Sequence, residues 1–282
     1  GGGLAIGQHN TAGSLEIAST IVNNTTASGV VKSGGGLLTL SGTNTYTGMT
    51  HVGEGVLRAA DGAGLPTGSA LVLNGGVFES TGGTFTRVLG SAAGEVSLSG
   101  GASGFSAFGG AATFNLGGGG TALQWGSVNF NPTTLVLNST TATAELELAN
   151  GIDLNGATRS IRVDANVATV SGEIINSAGG STAGLLKSGA GTLRLTQANT
   201  YDGNTTVSAG LISLGHDQAL GTGTVILAGG GLQADGAART LANNVVLSGA
   251  STVNSTQSLK ITGTFTVSGS TTSLTTTLSG AG

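Results

Sequence analysis

Apolar residues in this chain fall at every second position over short runs, and each run stops at glycine, asparagine or serine. Leu38-Thr39-Leu40, Thr50-His51-Val52, Glu95-Val96-Ser97-Leu98, Thr113-Phe114-Asn115-Leu116, Leu135-Val136-Leu137 and Ala144-Glu145-Leu146-Glu147-Leu148 all read this way. So do Ile161-Arg162-Val163-Asp164 and Leu259-Lys260-Ile261-Thr262. A period of two predicts strands with one inward face. Strands of about three to five residues, with turn residues every 7 to 10 positions or so, fit a sandwich, a barrel or a solenoid.

A long internal repeat selects among these. The run KSGGGLLTLSGTNTYTGMTHVGEGVL at residues 32–57 returns as KSGAGTLRLTQANTYDGNTTVSAGLI at residues 187–212, with 13 of 26 positions identical and no gap. The offset of 155 (187 − 32) persists, since Leu65, Thr67 and Gly68 return as Leu220, Thr222 and Gly223. Residues 70–73 return as 225–228, and Gly75-Gly76 as Gly230-Gly231. A weaker, ordered echo links Gly3-Leu4-Ala5-Ile6-Gly7 with residues 151–155, and Ile21-Val22-Asn23 with Ile174-Ile175-Asn176.

Comparing the two copies sorts the faces. Leu38 and Leu40 return as Leu193 and Leu195 while Thr39 becomes Arg194, an exchange that is easy only in water; the leucines face in and position 39 faces out. Thr50 and Val52 return as Thr205 and Val207, whereas Met49 and His51 become Asn204 and Thr206. Gly34, Gly36, Gly48 and Gly55 return as glycines at 189, 191, 203 and 210, where they supply positive φ or close backbone approach at corners. This pattern predicts an all-β fold, a right-handed parallel β-helix (β-solenoid). Each coil takes about 20 to 25 residues and rises about 4.8 Å, giving about 12 coils over roughly 60 Å. Residues 1–31 are then the end of a preceding repeat, 32–186 a full repeat and 187–282 a partial second one, all in one continuous solenoid and a fragment of a longer array.

Composition narrows the function classes. Gly is 54 of 282 residues and Pro only 2, yet branched apolar residues recur regularly, which separates this chain from disordered low-complexity sequence. Net charge is −4, with nine Lys and Arg scattered singly at 32, 58, 87, 159, 162, 187, 194, 239 and 260, so no footprint for nucleic acid exists. Without cysteine, neither a disulfide scaffold nor a thiolate metal site can form. The absence also suits a chain that stays unlocked during export. The opening GGGLAIGQHN has no signal-peptide pattern, and no run reaches the roughly 18 apolar residues of a membrane span.

The run Gly-x-Leu-x-Leu-(x)3-Asn-Thr-Tyr-x-Gly-x-Thr-x-Val-x-x-Gly, at residues 36–55 and 191–210, resembles the autotransporter-associated β-strand repeat, also called the passenger-associated transport repeat. The resemblance covers about residues 32–79 and 187–235 directly. It implies a right-handed β-helix, exported and displayed at or released from a bacterial surface, with the motif aiding folding during export. No catalytic residue belongs to that motif, and an autotransporter's membrane barrel is absent from these residues.

Candidate chemistry is weighed against simpler readings. Glu145, Glu147, Arg162 and Asp164 offer an acid/base cluster of the kind used on polysaccharides; the plainer reading is a solvated strand face. His9, His51 and His216 are far apart, and the glycine runs at 34–36 and 117–120 lack phosphate-loop context, so they are turns. Asp61, Asp202 and Asp235 do not recur as a calcium-binding repeat would require. Five Asn-x-Ser/Thr sequons, at Asn23, Asn24, Asn138, Asn204 and Asn254, are expected in a Thr-rich chain. Phe105, Phe108, Phe114, Trp125 and Phe130 form a carbohydrate platform or, as favoured here, a core plug. Asn44-Thr45-Tyr46 and Asn199-Thr200-Tyr201 could repeat a ligand site, but the favoured roles are bonding of a neighbouring coil by Asn and corner covering by Tyr. A Thr row including Thr264 and Thr266 would suit ice or a crystal surface if it recurred on successive coils.

The expectation is therefore a non-enzymatic structural segment, extracellular or on the bacterial outer surface, acting as a stalk, fibre or adhesin passenger, with end-to-end assembly through open strand edges. Catalytic, cofactor-binding and metal-binding residues are expected to be none. Partners are expected to be neighbouring repeats or other copies, with a surface glycan or a host cell-surface molecule as further candidates. A carbohydrate-binding or polysaccharide-degrading β-helix protein is the alternative.

Overall fold

The structure, a computed structural model, describes residues 2–118, 121–268 and 274–278. The chain divides into two compact units, Gly1–Gly119 with Gly126–Leu146, and Gly120–Trp125 with Glu147–Gly282. Both are parallel β-solenoid, and the described residues contain no helix. Of the glycine run at 117–120, Gly119 and Gly120 lie outside the described residues.

In the first unit one parallel sheet stacks Gly3–Gly7, Gly29–Ser33, Thr50–Val52, Leu71–Asn74 and Val96–Gly100. A second stacks Ser14–Ile17, Leu37–Leu40, Gly55–Ala59, Gly76–Ser80, Ala102–Ala107 and Thr134–Leu137. A short third face pairs Gly83–Phe85 with Ala112–Phe114. The second unit repeats the scheme with Arg159–Arg162, Leu185–Ser188, Thr205–Val207, Val225–Leu227, Val245–Leu247 and Phe265–Val267 on one face. Val167–Val170, Thr192–Leu195, Leu211–Leu214, Gly231–Ala234, Ser251–Ser255 and Leu274–Leu278 form another. Register there advances by 20 residues per coil, Thr205 pairing with Val225, Val225 with Val245 and Val245 with Phe265.

Alternation places the core as the pattern predicts. Leu38, Leu40, Leu193 and Leu195 are buried, with Thr39 and Arg194 between them partly exposed. Thr50, Val52, Thr205 and Val207 are fully buried, and Met49 is 49% exposed. The corner glycines divide into the two kinds expected. Gly34, Gly55, Gly189 and Gly210 have φ between 62° and 78°, the left-handed region open to glycine. Gly48 has ordinary φ, but a Cβ there would stand 2.4 Å from the Ser28 carbonyl oxygen of the preceding coil.

Alternation fails most completely in two neighbouring strands of the first unit. Every residue of Gly76–Ser80, and five of the six in Ala102–Ala107, is buried on both faces. Residues 138–143 cover the outer side of these strands: Asn138 Oδ1 accepts from the Ala107 amide (3.0 Å), Thr141 Oγ1 donates to Glu79 Oε1 (2.6 Å), and Thr143 Oγ1 accepts from Gly109 (2.9 Å). Glu79 is thereby fully buried, held also by Arg58 Nε (2.6 Å) and Ser106 Oγ (2.9 Å).

The aromatic plug forms with a different membership. Phe78 and Phe85 join Phe105 and Phe114 in the first unit's core, with ring centroids 4.4 to 5.8 Å apart. Phe130 is buried there too. Phe108 stays partly exposed beneath the Arg58 guanidinium, 3.3 Å from its ring centroid. Trp125 is buried in the second unit, where Arg159 approaches it at 5.6 Å.

Candidate functional site

The largest side chains common to both copies of the signature are interior, although Thr45 and Thr200 are exposed in both. Strand register puts Lys32 in an inward column between Ile6 and Val52, and Lys187 between Ile161 and Val207. Both lysines are fully buried. Each bends its ammonium to the corner and shares three carbonyl oxygens. Lys32 Nζ donates to Ser33 (3.3 Å), Gly34 (2.6 Å) and Glu54 (2.9 Å). Lys187 Nζ donates to Ser188 (2.8 Å), Gly189 (2.8 Å) and Ala209 (3.2 Å). Two acceptors belong to the lysine's own turn and the third to the next coil, so one charge ties two coils together. The αL glycines Gly34 and Gly189 turn their carbonyls inward to receive it.

Burial lowers both lysines to about 8, against the opposing pull of Glu54 on Lys32 and of Asp164 on Lys187. All three ammonium protons are used, so neither amine has a free face to offer a substrate. Composition had left these lysines as single scattered cations. The signal that reveals them is phase: Val30-Val31-Lys32 and Leu185-Leu186-Lys187 put lysine in step with Val30 and Leu185, which are buried.

The Asn-Thr-Tyr element is a second tie. Asn44 Oδ1 accepts from the Ile21 amide of the preceding coil (2.8 Å), and its Nδ2 donates to the Gly64 carbonyl of the next (2.7 Å). Asn199 does the same with Ile174 (2.8 Å) and Ala219 (2.6 Å). The faint echo of Ile21 in Ile174 therefore marks one shared hydrogen bond. Tyr46 and Tyr201 are fully buried, with hydroxyls 2.8 Å from Thr50 Oγ1 and 2.6 Å from Thr205 Oγ1. Burial pushes both phenols up. The Asn and Tyr side chains hold backbone together from inside, while Thr45 and Thr200 between them are exposed.

The other candidates separate. Asp164 pairs with Arg162 (3.1 Å), Glu147 Oε1 accepts from Ser171 (2.6 Å), and Glu145 lies exposed. Among the described residues no group of three or more His, Asp or Glu side chains is placed to hold a metal ion. Thr266 stands in an outward column with Leu186, Thr206, Ile226 and Val246, so the Thr row does not recur on successive coils. Of the sequons, Asn138 is fully buried and its amide is engaged by Ala107 and Ala144. Sequence reasoning also passed over the buried Arg58–Glu79 pair and Arg87, whose guanidinium reaches Asp61 (2.6 Å), Pro66 O (2.9 Å) and Ser69 O.

The family model for the passenger-associated transport repeat matches residues 30–59 and again 185–214, the two stretches that contain the buried lysine, the Asn bridge and the Tyr corner. The chain is 32% identical, over 261 aligned residues, to an adhesin of the autotransporter type, BmaC, from Brucella suis biovar 1 (strain 1330). The alignment takes in 74% of this chain and 8% of that relative's length. No solved structure matches the chain.

Proposed function

The chain carries two passenger-associated transport repeats on a parallel β-solenoid, and from that premise we propose that it is a non-enzymatic, load-bearing segment of a cell-surface or secreted passenger protein. The observation that carries the reading is where the two copies agree. They keep the lysine tie, the asparagine bridge and the tyrosine corner, all buried, while outward positions such as 39/194 and 51/206 change freely. Selection for a stackable coil leaves this mark, whereas a repeated binding surface would keep its outward residues. The similarity to an adhesin supports a role in holding adhesive parts away from the cell, and neighbouring repeats are the natural partners, since each coil buries its apolar faces only against the next.

End-to-end association is the finer part of the proposal: open strand edges of terminal coils pair with other coils unless covered. Two measurements test the reading. Antibody raised to this segment should label intact, unpermeabilised cells that make the full-length protein, and mild external protease should remove the label; label only after permeabilisation overturns surface display. Sedimentation of the chain across a hundredfold concentration range should show growth into longer particles if ends associate, and a constant monomer refutes that part.

A further inference from the structure

One outer face of the second unit is aliphatic along its centre and carries no charge. The strands Leu185–Ser188, Thr205–Val207, Val225–Leu227, Val245–Leu247 and Phe265–Val267 pair in parallel, and their register aligns Leu186, Thr206, Ile226, Val246 and Thr266 in one outward column. The first four are half-buried and Thr266 is exposed. The outward columns on either side are polar, but their side-chain oxygens are spent on the neighbouring coil. Asn204 Oδ1 accepts from the Thr224 amide (3.2 Å) and Asn244 Oδ1 from the Thr264 amide (2.9 Å) on one side. Ser208 and Ser248 donate to Lys187 O (2.9 Å) and Leu227 O (3.3 Å) on the other. No described residue in the three columns is charged. The charges of these coils are used elsewhere: Asp202 accepts from the Ala183 amide in the turn before the face (3.0 Å), and Arg194 pairs with Asp235 on the adjacent sheet (3.2 Å). The first unit keeps the same character. Val31 precedes buried Lys32 as Leu186 precedes buried Lys187, and is 39% exposed. Its column runs through His51 to Val72, as that of Leu186 runs through Thr206 to Ile226. Positions 39/194 and 51/206 drift between the units, but here valine answers leucine and isoleucine.

A face without charge has nothing to steer an acidic or basic partner, and without outward basic or aromatic side chains it lacks the anchors of a lipid-binding surface. A surface of the same spacing fits it. Rows of side chains about 4.8 Å apart interdigitate along their whole length with rows of equal pitch, as in two sheets packed about 10 Å apart. A second copy supplies that pitch, and it meets no like charge here although the chain carries a net charge of −4. Five strands at about 4.8 Å and five residues at about 3.3 Å make a face of about 24 by 16 Å, or about 400 Å² per copy. Two such faces bury about 800 Å², below the roughly 1,200 Å² of stable interfaces, so the pairing is weak and reversible. We propose that this face pairs two copies of the chain side by side, sheet on sheet, about a two-fold axis near Ile226, which lies on the middle strand of the five. Face pairing closes at two copies, whereas pairing of strand edges extends. The inference rests on neither the load-bearing role nor end-to-end association.

The test is sedimentation equilibrium of the 282-residue chain, from about 10 μM to about 1 mM. The expected result is a monomer–dimer equilibrium that stops at two copies and does not weaken when NaCl is raised from about 0.1 M to about 1 M, since no charge contributes. Ile226→Lys, checked for fold by far-UV circular dichroism, sets like charges against each other across the axis and should weaken the dimer at least about tenfold. Mixing Ile226→Lys with Ile226→Glu should restore pairing to within about threefold of the unaltered chain. Thr206→Lys, at the position that holds His51 in the first unit, gives a second disruption in the same direction should Ile226→Lys not fold. Gln233→Lys adds the same charge to the outward side of the adjacent sheet and should leave the dimer unchanged. A monomer at every concentration, a dimer that salt dissolves, pairing unchanged in a folded face variant, or equal loss in Gln233→Lys would each overturn the inference. Growth past two copies that Ile226→Lys does not reduce would assign the association to strand ends and also overturn it, and a monomer that floats with phosphatidylcholine vesicles would give the face to a lipid surface. None of these results bears on surface display, which the antibody label tests separately.

Discussion

Raising the pH from 7 to about 9.5 is expected to stabilise this protein, against the usual behaviour of globular domains, because of its two buried lysines. Lys32 and Lys187 are lowered by burial from 10.5 to about 8. Below pH 8 both the folded and the unfolded chain carry the ammonium, and the folded state bears the full cost of desolvating it. Between about 8 and 10.5 the folded chain releases a proton that the unfolded chain still holds, so the unfolded state binds more protons and stability rises with pH. At pH 9.5 the gain is about 2 kcal/mol per lysine, or about 4 for the pair. The two buried tyrosines act in the opposite sense: unfolded phenols ionise near 10 while the folded ones, raised by burial, stay neutral, so stability falls again above about pH 10. Urea unfolding followed by far-UV circular dichroism, at intervals from pH 7 to 10.5, should show the midpoint climbing to a maximum between about 9 and 10. The double variant Lys32→Met, Lys187→Met should lose the climb, though it is less stable at pH 7 because six donations to carbonyls are gone. A wild-type midpoint that is flat or falls over this range, or the same climb in the double variant, would refute the reasoning.

Three substitutions probe the remaining ties by the same unfolding assay. Asn199→Ala removes both bonds of a coil-bridging side chain and leaves the buried Ile174 amide without its acceptor; a loss of about 2 to 3 kcal/mol is expected. Tyr201→Phe should cost about 1 kcal/mol, and Tyr46→Phe less, because Thr50 retains Ser69 at 2.8 Å while Thr205 keeps only the long contact to Leu220 O at 3.4 Å. Gly203→Ala forces a Cβ to within 2.5 Å of the Ala183 carbonyl carbon and should cost about 3 kcal/mol or prevent folding, whereas Gly68→Ala, with nothing within 4 Å, should change stability by less than about 0.5 kcal/mol.

Much of the fold was legible because a solenoid writes its rules twice. Leucine kept at 38/193 and 40/195 beside a changing 39/194 identifies an inward face without any further sequence, since only exposed positions tolerate a hydroxyl exchanged for a guanidinium. The corner glycines were legible for the same reason. The lysines are less legible, because their phase points inward while their charge points to water: a charge reads as surface until three carbonyls are known to converge on it. Glu79 and Arg58 could not be found by repetition, as the strand pair Arg58–Glu79 is replaced by the pair Ser213–Gln233 in the second unit and the burial depends on residues 138–143, some 60 residues further along the chain.

By itself, then, the sequence determined the strand period, the 155-residue repeat, the inward leucines and the parallel β-solenoid, because each depends on local alternation and on coils alike enough to stack. Only the tertiary structure decided which polar groups are interior and what satisfies them. Those partners come from neighbouring coils roughly 20 residues away, as with Lys32 and the Glu54 carbonyl or Asn44 and Ile21, and they are backbone carbonyls and amides, which residue types do not display.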